Sequence, residues 1–157
     1  MNGVILKTSK GYTATFERQF QAPIEEVWSW LTVNEKLSQW FSELHIDQLR
    51  DGGLITFDMG NGAFEEMVIT DYQKQEVLEF TWADDLVRFE LTEEAYGCKL
   101  IFIEKIKTIT EHTAKDLAGW HVCLDVIEAL ISEKMFDRNS AWEKWYIEYT
   151  NALKNCG

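Results

Sequence analysis

His121 and Asp125 stand one helical turn apart, and Glu128 follows three residues later. On a helix turning ~100° per residue, His121 lies about 60° and Glu128 about 40° to the same side of Leu124. The three therefore make a polar edge beside an apolar stripe of Leu117, Trp120, Leu124, Ile127 and Ile131. Such an edge could hydrogen-bond the head of a ligand. His121 could equally act as an acid–base, oriented by a carboxylate. The plainer reading is a boundary histidine that packs with Trp120 and bonds a neighbour or water. Arg18 is the second polar candidate, because it shares a strand face with Phe16 and Phe20. It could pair with a ligand carboxylate or with a helix carboxylate such as Glu128, or it could snorkel out at the sheet edge.

Other reactive types give less. His45, His112 and His121 are far apart, and no cysteine has CxxC spacing, so neither a metal site nor a cofactor is expected. Cys98 and Cys123 are expected to be small buried hydrophobes, and no catalytic residue is assigned. Asp51-Gly52-Gly53 and Gly60-Asn61-Gly62 lack the Lys and Ser/Thr of a phosphate loop and read as turns. An aromatic set remains: Phe57, Phe64, Phe80, Trp82 and Phe89 from strands, Trp40, Phe41 and Trp120 from helices, with Met67 as a flexible filler. Such a stripe either fills a core or walls a mostly apolar pocket.

These residues must be held by one domain, since the chain has 157 residues. Its net charge of −12 repels a phosphate backbone, so nucleic acid is not an expected partner. No apolar run approaches the ~18 residues of a membrane span, and no leader pattern opens the chain. Cys98, Cys123 and Cys156 are odd in number and widely spaced, which suits a reducing cytoplasmic setting.

The pattern gives a strand over 12–20, then a helix opening at Pro23 with Ile24, Val27, Trp28 and Leu31 on one face. Thr32-Val33-Asn34-Glu35 resembles a capping box for a second short helix ending near Trp40. Six strands follow, at 44–49, 54–59, 64–72, 76–82, 86–92 and 98–105, separated by turn signals. Thr113-Ala114-Lys115-Asp116 looks like a capping box for the long helix, and Ser140 caps a last helix with Trp142, Trp145, Tyr146, Tyr149 and Leu153 on its face. That helix could pack on the sheet edge, close the cavity or join two copies. Monomer and homodimer both stay open.

The order Ala22-Pro23-Ile24-Glu25-Glu26-Val27-Trp28, Trp40-Phe41, Gly52-Gly53, Leu78-Glu79-Phe80-Thr81-Trp82, Gly97 and Gly119-Trp120 resembles the START-like (Bet v 1-like, SRPBCC) superfamily. Within it, the chain is similar to the family homologous to the activator of heat-shock protein 90 ATPase. The resemblance implies an α+β helix-grip fold. A curved antiparallel sheet of about seven strands would wrap a long helix, with two short helices after the first strand and an extra C-terminal helix. Residues 1–11 would be an N-terminal extension, 12–135 the helix-grip domain and 136–157 a helix packed on it. It also implies a small hydrophobic or amphipathic molecule bound between sheet and long helix. The expected site is Arg18, Trp40, Phe57, Phe64, Met67, Phe80, Trp82, Phe89, Trp120, His121, Leu124 and Glu128. Two other readings are a co-chaperone-like or stress-related module that meets a chaperone or other protein, and a cavity enzyme such as a cyclase or hydrolase.

Overall fold

The chain opens with a hairpin, β1 (Val4–Thr8) and β2 (Gly11–Phe20), in a computed structural model that describes residues 3–154. Cys156 lies outside the described residues. Strand β1 adds an eighth strand to the seven read from the sequence. Its alternation is faint because it is an edge strand: only Ile5 gains partial cover, while Val4 and Leu6 stay exposed. In β2, by contrast, Ala14, Phe16, Arg18 and Phe20 all turn inward and are buried.

Helix α1 (Ile24–Thr32) buries Ile24, Val27, Trp28 and Leu31 and carries Glu25 and Glu26 in its first turn, where the helix dipole favours them. Pro23 stands just ahead of the helix, and its carbonyl accepts from the Glu26 and Val27 N–H groups. Helix α2 (Asn34–Trp40) follows after one residue, Val33. No capping box forms there, because Thr32 ends α1 and its hydroxyl donates back to the Trp28 carbonyl.

Strands β3 (Leu44–Ile46), β4 (Leu54–Asp58), β5 (Phe64–Gln73), β6 (Val77–Trp82), β7 (Asp85–Glu94) and β8 (Gly97–Ile106) run as an antiparallel meander. Strand β8 then pairs with β2, giving the order β1-β2-β8-β7-β6-β5-β4-β3. A register shift between Ile69 and Asp71 interrupts the β5–β6 ladder, the kind of irregularity that bends a strand. The β7–β8 turn needs glycine at position 97: its φ is +152°, and a Cβ there would meet the Phe20 carbonyl oxygen at 2.1 Å.

Helix α3 (Thr113–Ile131) packs on the inward-facing side chains of the sheet, and α4 (Arg138–Lys154) lies on α3. Covered from both sides, α3 buries Val122, Cys123, Val126 and Ala129 as well as its sheet-facing Leu117, Trp120, Leu124 and Ile127. Its expected capping box is absent: Thr113 is already helical, and its hydroxyl accepts from the Thr110 N–H. Helix α4 starts two residues before Ser140, and the Asp137 carboxylate accepts from both the Ser140 N–H and its hydroxyl. Among the described residues no helix is long and apolar enough to cross a membrane.

Candidate functional site

Trp40, Met67, Phe80, Phe89, Trp120 and Leu124 are buried, and Phe57 and Trp82 half-buried, so the structure gathers most of the aromatic set beneath α3. The rings pack on one another. Ring centres of Trp120 and Phe102 are 4.8 Å apart, those of Phe89 and Phe102 4.9 Å, and those of Trp82 and Trp120 5.0 Å. These are contact distances for aromatic pairs. The deep interior is thus a close-packed aromatic core. Phe64 does not join it. It is 62% exposed, because it sits out of step with Met67 and Ile69 on β5 and faces away from the core.

On the polar edge of α3, His121 is sealed as well. His121 is 1% exposed, lies flat on the Trp145 ring at 3.8 Å between centres, and meets the Tyr149 hydroxyl through Nδ1 at 2.7 Å. That hydroxyl accepts from the Gly3 N–H at 2.9 Å, so its own proton is free to go to Nδ1. The remaining ring proton then sits on Nε2, 3.4 Å from Asp125 Oδ2. Arg18 lies across the same carboxylate, with Nη2 3.5 Å from Oδ1. Burial, helped by the Arg18 charge, pushes the His121 imidazole down to about 3, so it is neutral at physiological pH. Arg18 therefore does not snorkel out; it meets a helix carboxylate, Asp125 rather than Glu128, and Glu128 itself is exposed. This constellation ties β2, α3, α4 and the segment before β1 together.

Open space occurs where α3, the start of α4 and the end of α2 meet. A cleft of about 410 Å³ lies there, floored by Phe41, Trp82, Gly119 and Trp120 and bordered by Trp142. That volume is within the range of small-molecule sites. Gly119 shapes it: a Cβ there would find nothing within 4 Å. Trp82 and Trp120 thus belong both to the core and to the cleft floor.

The polar rim holds residues that sequence reasoning did not single out. Arg138 reaches from the start of α4 to the Trp40 carbonyl at 3.2 Å, satisfying the end of α2. Asp116 forms part of the cleft wall beside Trp82. Burial, with the nearby Asp85 charge, raises its carboxyl to about 6. On the sheet beneath, Glu104 is 1% exposed, and burial together with Asp116 and Asp85 pushes it up to about 9. Glu104 was legible in principle, since it interrupts the apolar alternation Cys98, Leu100, Phe102, Ile106 on one strand face. Asp116 gave no such signal, because it read as a helix cap.

Burial pushes the Cys98 thiol up to about 11 and the Cys123 thiol up to about 12, so both are inert small side chains. Among the described residues no group of three or more His, Cys, Asp and Glu is arranged to hold a metal ion.

An open antiparallel sheet gripping one long helix, with an aromatic cleft at the helix's first half, defines a Bet v 1-like helix-grip protein. Residues 21–132 match the family described as Activator of Hsp90 ATPase homolog 1-like protein, and the chain belongs to that family. No curated protein matches it by sequence. Among solved structures, it is similar to the conserved protein of unknown function EF2215 from Enterococcus faecalis. The TM-score is 0.89 at 26% identity, covering 99% of this chain and 92% of that one. CalU16 from Micromonospora echinospora gives a TM-score of 0.74 at 20% identity, covering 95% and 94%. DynU16, a putative protein in the dynemicin biosynthetic locus, gives 0.66 at 22% identity, covering 78% of this chain and 48% of that one. The latter two likenesses concern the fold alone.

Proposed function

We propose that the protein binds a small amphipathic molecule in the cleft over Gly119, at the mouth of the sheet–helix layer, with the sealed interior as its support. The observation that carries this reading is the glycine itself. A glycine inside a helix costs roughly 0.5–1 kcal/mol relative to alanine. Gly119 stands seven residues into α3, with a negative-φ helical backbone that alanine would adopt freely. Neither backbone conformation nor close packing calls for it, since the space above it is empty. What glycine does provide there is access to the Trp82 and Trp120 faces. The aromatic floor supplies apolar burial and the charged rim supplies orientation, the composition expected of a ligand site.

Two substitutions at one position separate folding from binding. Gly119→Ala should stabilise the protein by about 0.5–1 kcal/mol in urea unfolding and weaken binding of the neutral dye Nile red only in part, because a methyl group narrows the access to the Trp82 and Trp120 faces. Gly119→Leu should remain folded but lose at least ten-fold in Nile red affinity, because its side chain occupies the cleft. Wild-type affinity in a folded Gly119→Leu protein would place the site elsewhere.

A further inference from the structure

Glu104 sits between Phe102 and Ile106 on the buried face of β8, opposite Ala14 of β2 and Val87 of β7. Its Oε1 is fully buried and has no hydrogen-bond partner. A buried acceptor left without a donor costs on the order of 1–3 kcal/mol, so such a group calls for an explanation. The nearest acidic neighbours are Asp116, in the first turn of α3, and Asp85, at the start of β7. Asp85 is engaged in the fold, where it accepts from the Lys107 N–H at 2.9 Å. Asp116 lines the cleft together with Trp82.

On the reading that the cleft is the binding site, we propose that Asp116, which lines it beside Trp82 and Trp120, anchors a cationic nitrogen, so that the cleft selects amines carried on a flat apolar body. The cations on the rim do not compete for this role. The Arg138 guanidinium is tied to the Trp40 carbonyl and the Cys123 sulfur, and Lys115 is exposed. A carboxylate held partly out of water attracts an ammonium more strongly than an exposed lysine attracts an anion. The faces of Trp82 and Trp120 add cation–π attraction beside it. The net charge of −12 favours approach of a cation.

Glu104 adds no charge to the site. At neutral pH it holds a proton, kept there first by burial and then by the Asp116 and Asp85 charges. The anionic partner of an ammonium in the cleft is therefore Asp116, which lines it.

The test is calorimetric titration of the intact chain at pH 7 with phenethylamine, 2-phenylethanol and 3-phenylpropionate. The amine should bind at least ten-fold tighter than the alcohol, and the acid weakest. Asp116→Asn should erase the ten-fold preference. Glu104→Gln should keep it, because glutamine mimics the protonated acid. Amine and alcohol of equal affinity, or a preference that survives Asp116→Asn, would overturn the anchor while leaving the cleft assignment standing. A preference lost in Glu104→Gln but kept in Asp116→Asn would move the charge to Glu104 and overturn the Asp116 anchor. Absence of binding by all three would overturn the anchor and the cleft together.

Discussion

Glu104→Gln should change the pH dependence of stability more than any other single substitution in this protein. The glutamate carboxyl, ordinarily near 4.5, is pushed up to about 9 in the fold. The folded chain therefore keeps a proton that the unfolded chain has released. Between those two values the folded state binds more protons, so stability falls as pH rises. The loss begins near pH 4.5, is complete near pH 9, and amounts to about 1.4 kcal/mol per pH unit in between. Glutamine mimics the protonated acid and has nothing to titrate. Urea unfolding of both proteins at pH 4, 5, 7 and 9 should give a difference that is flat below pH 4.5 and then widens in favour of the variant. Any constant offset at pH 4 reads the fit of the amide, and the slope reads the proton. Asp116, raised to about 6, loses its own contribution between about 3.8 and 6, but it does so in both proteins and drops out of the comparison. Parallel profiles across the whole range would show that Glu104 ionises normally.

Trp120→Ala should be the most damaging of the truncations under α3. The indole is 2% exposed and touches the rings of Phe41, Trp82, Phe89 and Phe102. Emptying a position of this kind costs about 3–5 kcal/mol, from lost transfer free energy and from the cavity that rigid neighbours cannot refill. Phe64→Ala provides the contrast. Phe64 stands on the outer face of β5, and its removal should change stability by no more than about 0.5 kcal/mol. Chemical unfolding of both variants checks the assignment of inside and outside. Similar losses for the two would mean that β5 is out of register.

The elements that position the cleft were largely legible, because strand alternation and helix spacing are local signals. The alternation of Ala14, Phe16 and Phe20 marked β2, and Ile24, Val27, Trp28 and Leu31 marked α1, as the burial pattern bears out. What sequence reading missed depended on distant partners. Strand β1 exists through its pairing with β2, since its own residues are mostly exposed. The polar edge of α3 looked like a boundary, but α4 places Trp145 and Tyr149 over His121 and turns it into interior. Capping motifs misled in three places. Thr32, Thr113 and Ser140 each found a different backbone or side-chain partner three or four residues back along the chain. The cleft was recognisable only in part. Trp82 and Trp120 were singled out for their aromatic bulk, whereas Asp116 and Arg138 come together through the crossing of α2, α3 and α4, which no local pattern encodes.

Seven tryptophans allow the cleft to be observed directly. In a spectrum of the ¹⁵N-labelled protein, each indole N–H gives its own signal. On titration with 2-phenylethanol, the signals of Trp82, Trp120 and Trp142 should move together and saturate, while those of Trp28 and Trp30, which lie on α1 and do not line the cleft, stay in place. Movement confined to Trp28 and Trp30, or no saturable movement of the first three, would contradict a binding cleft over Gly119.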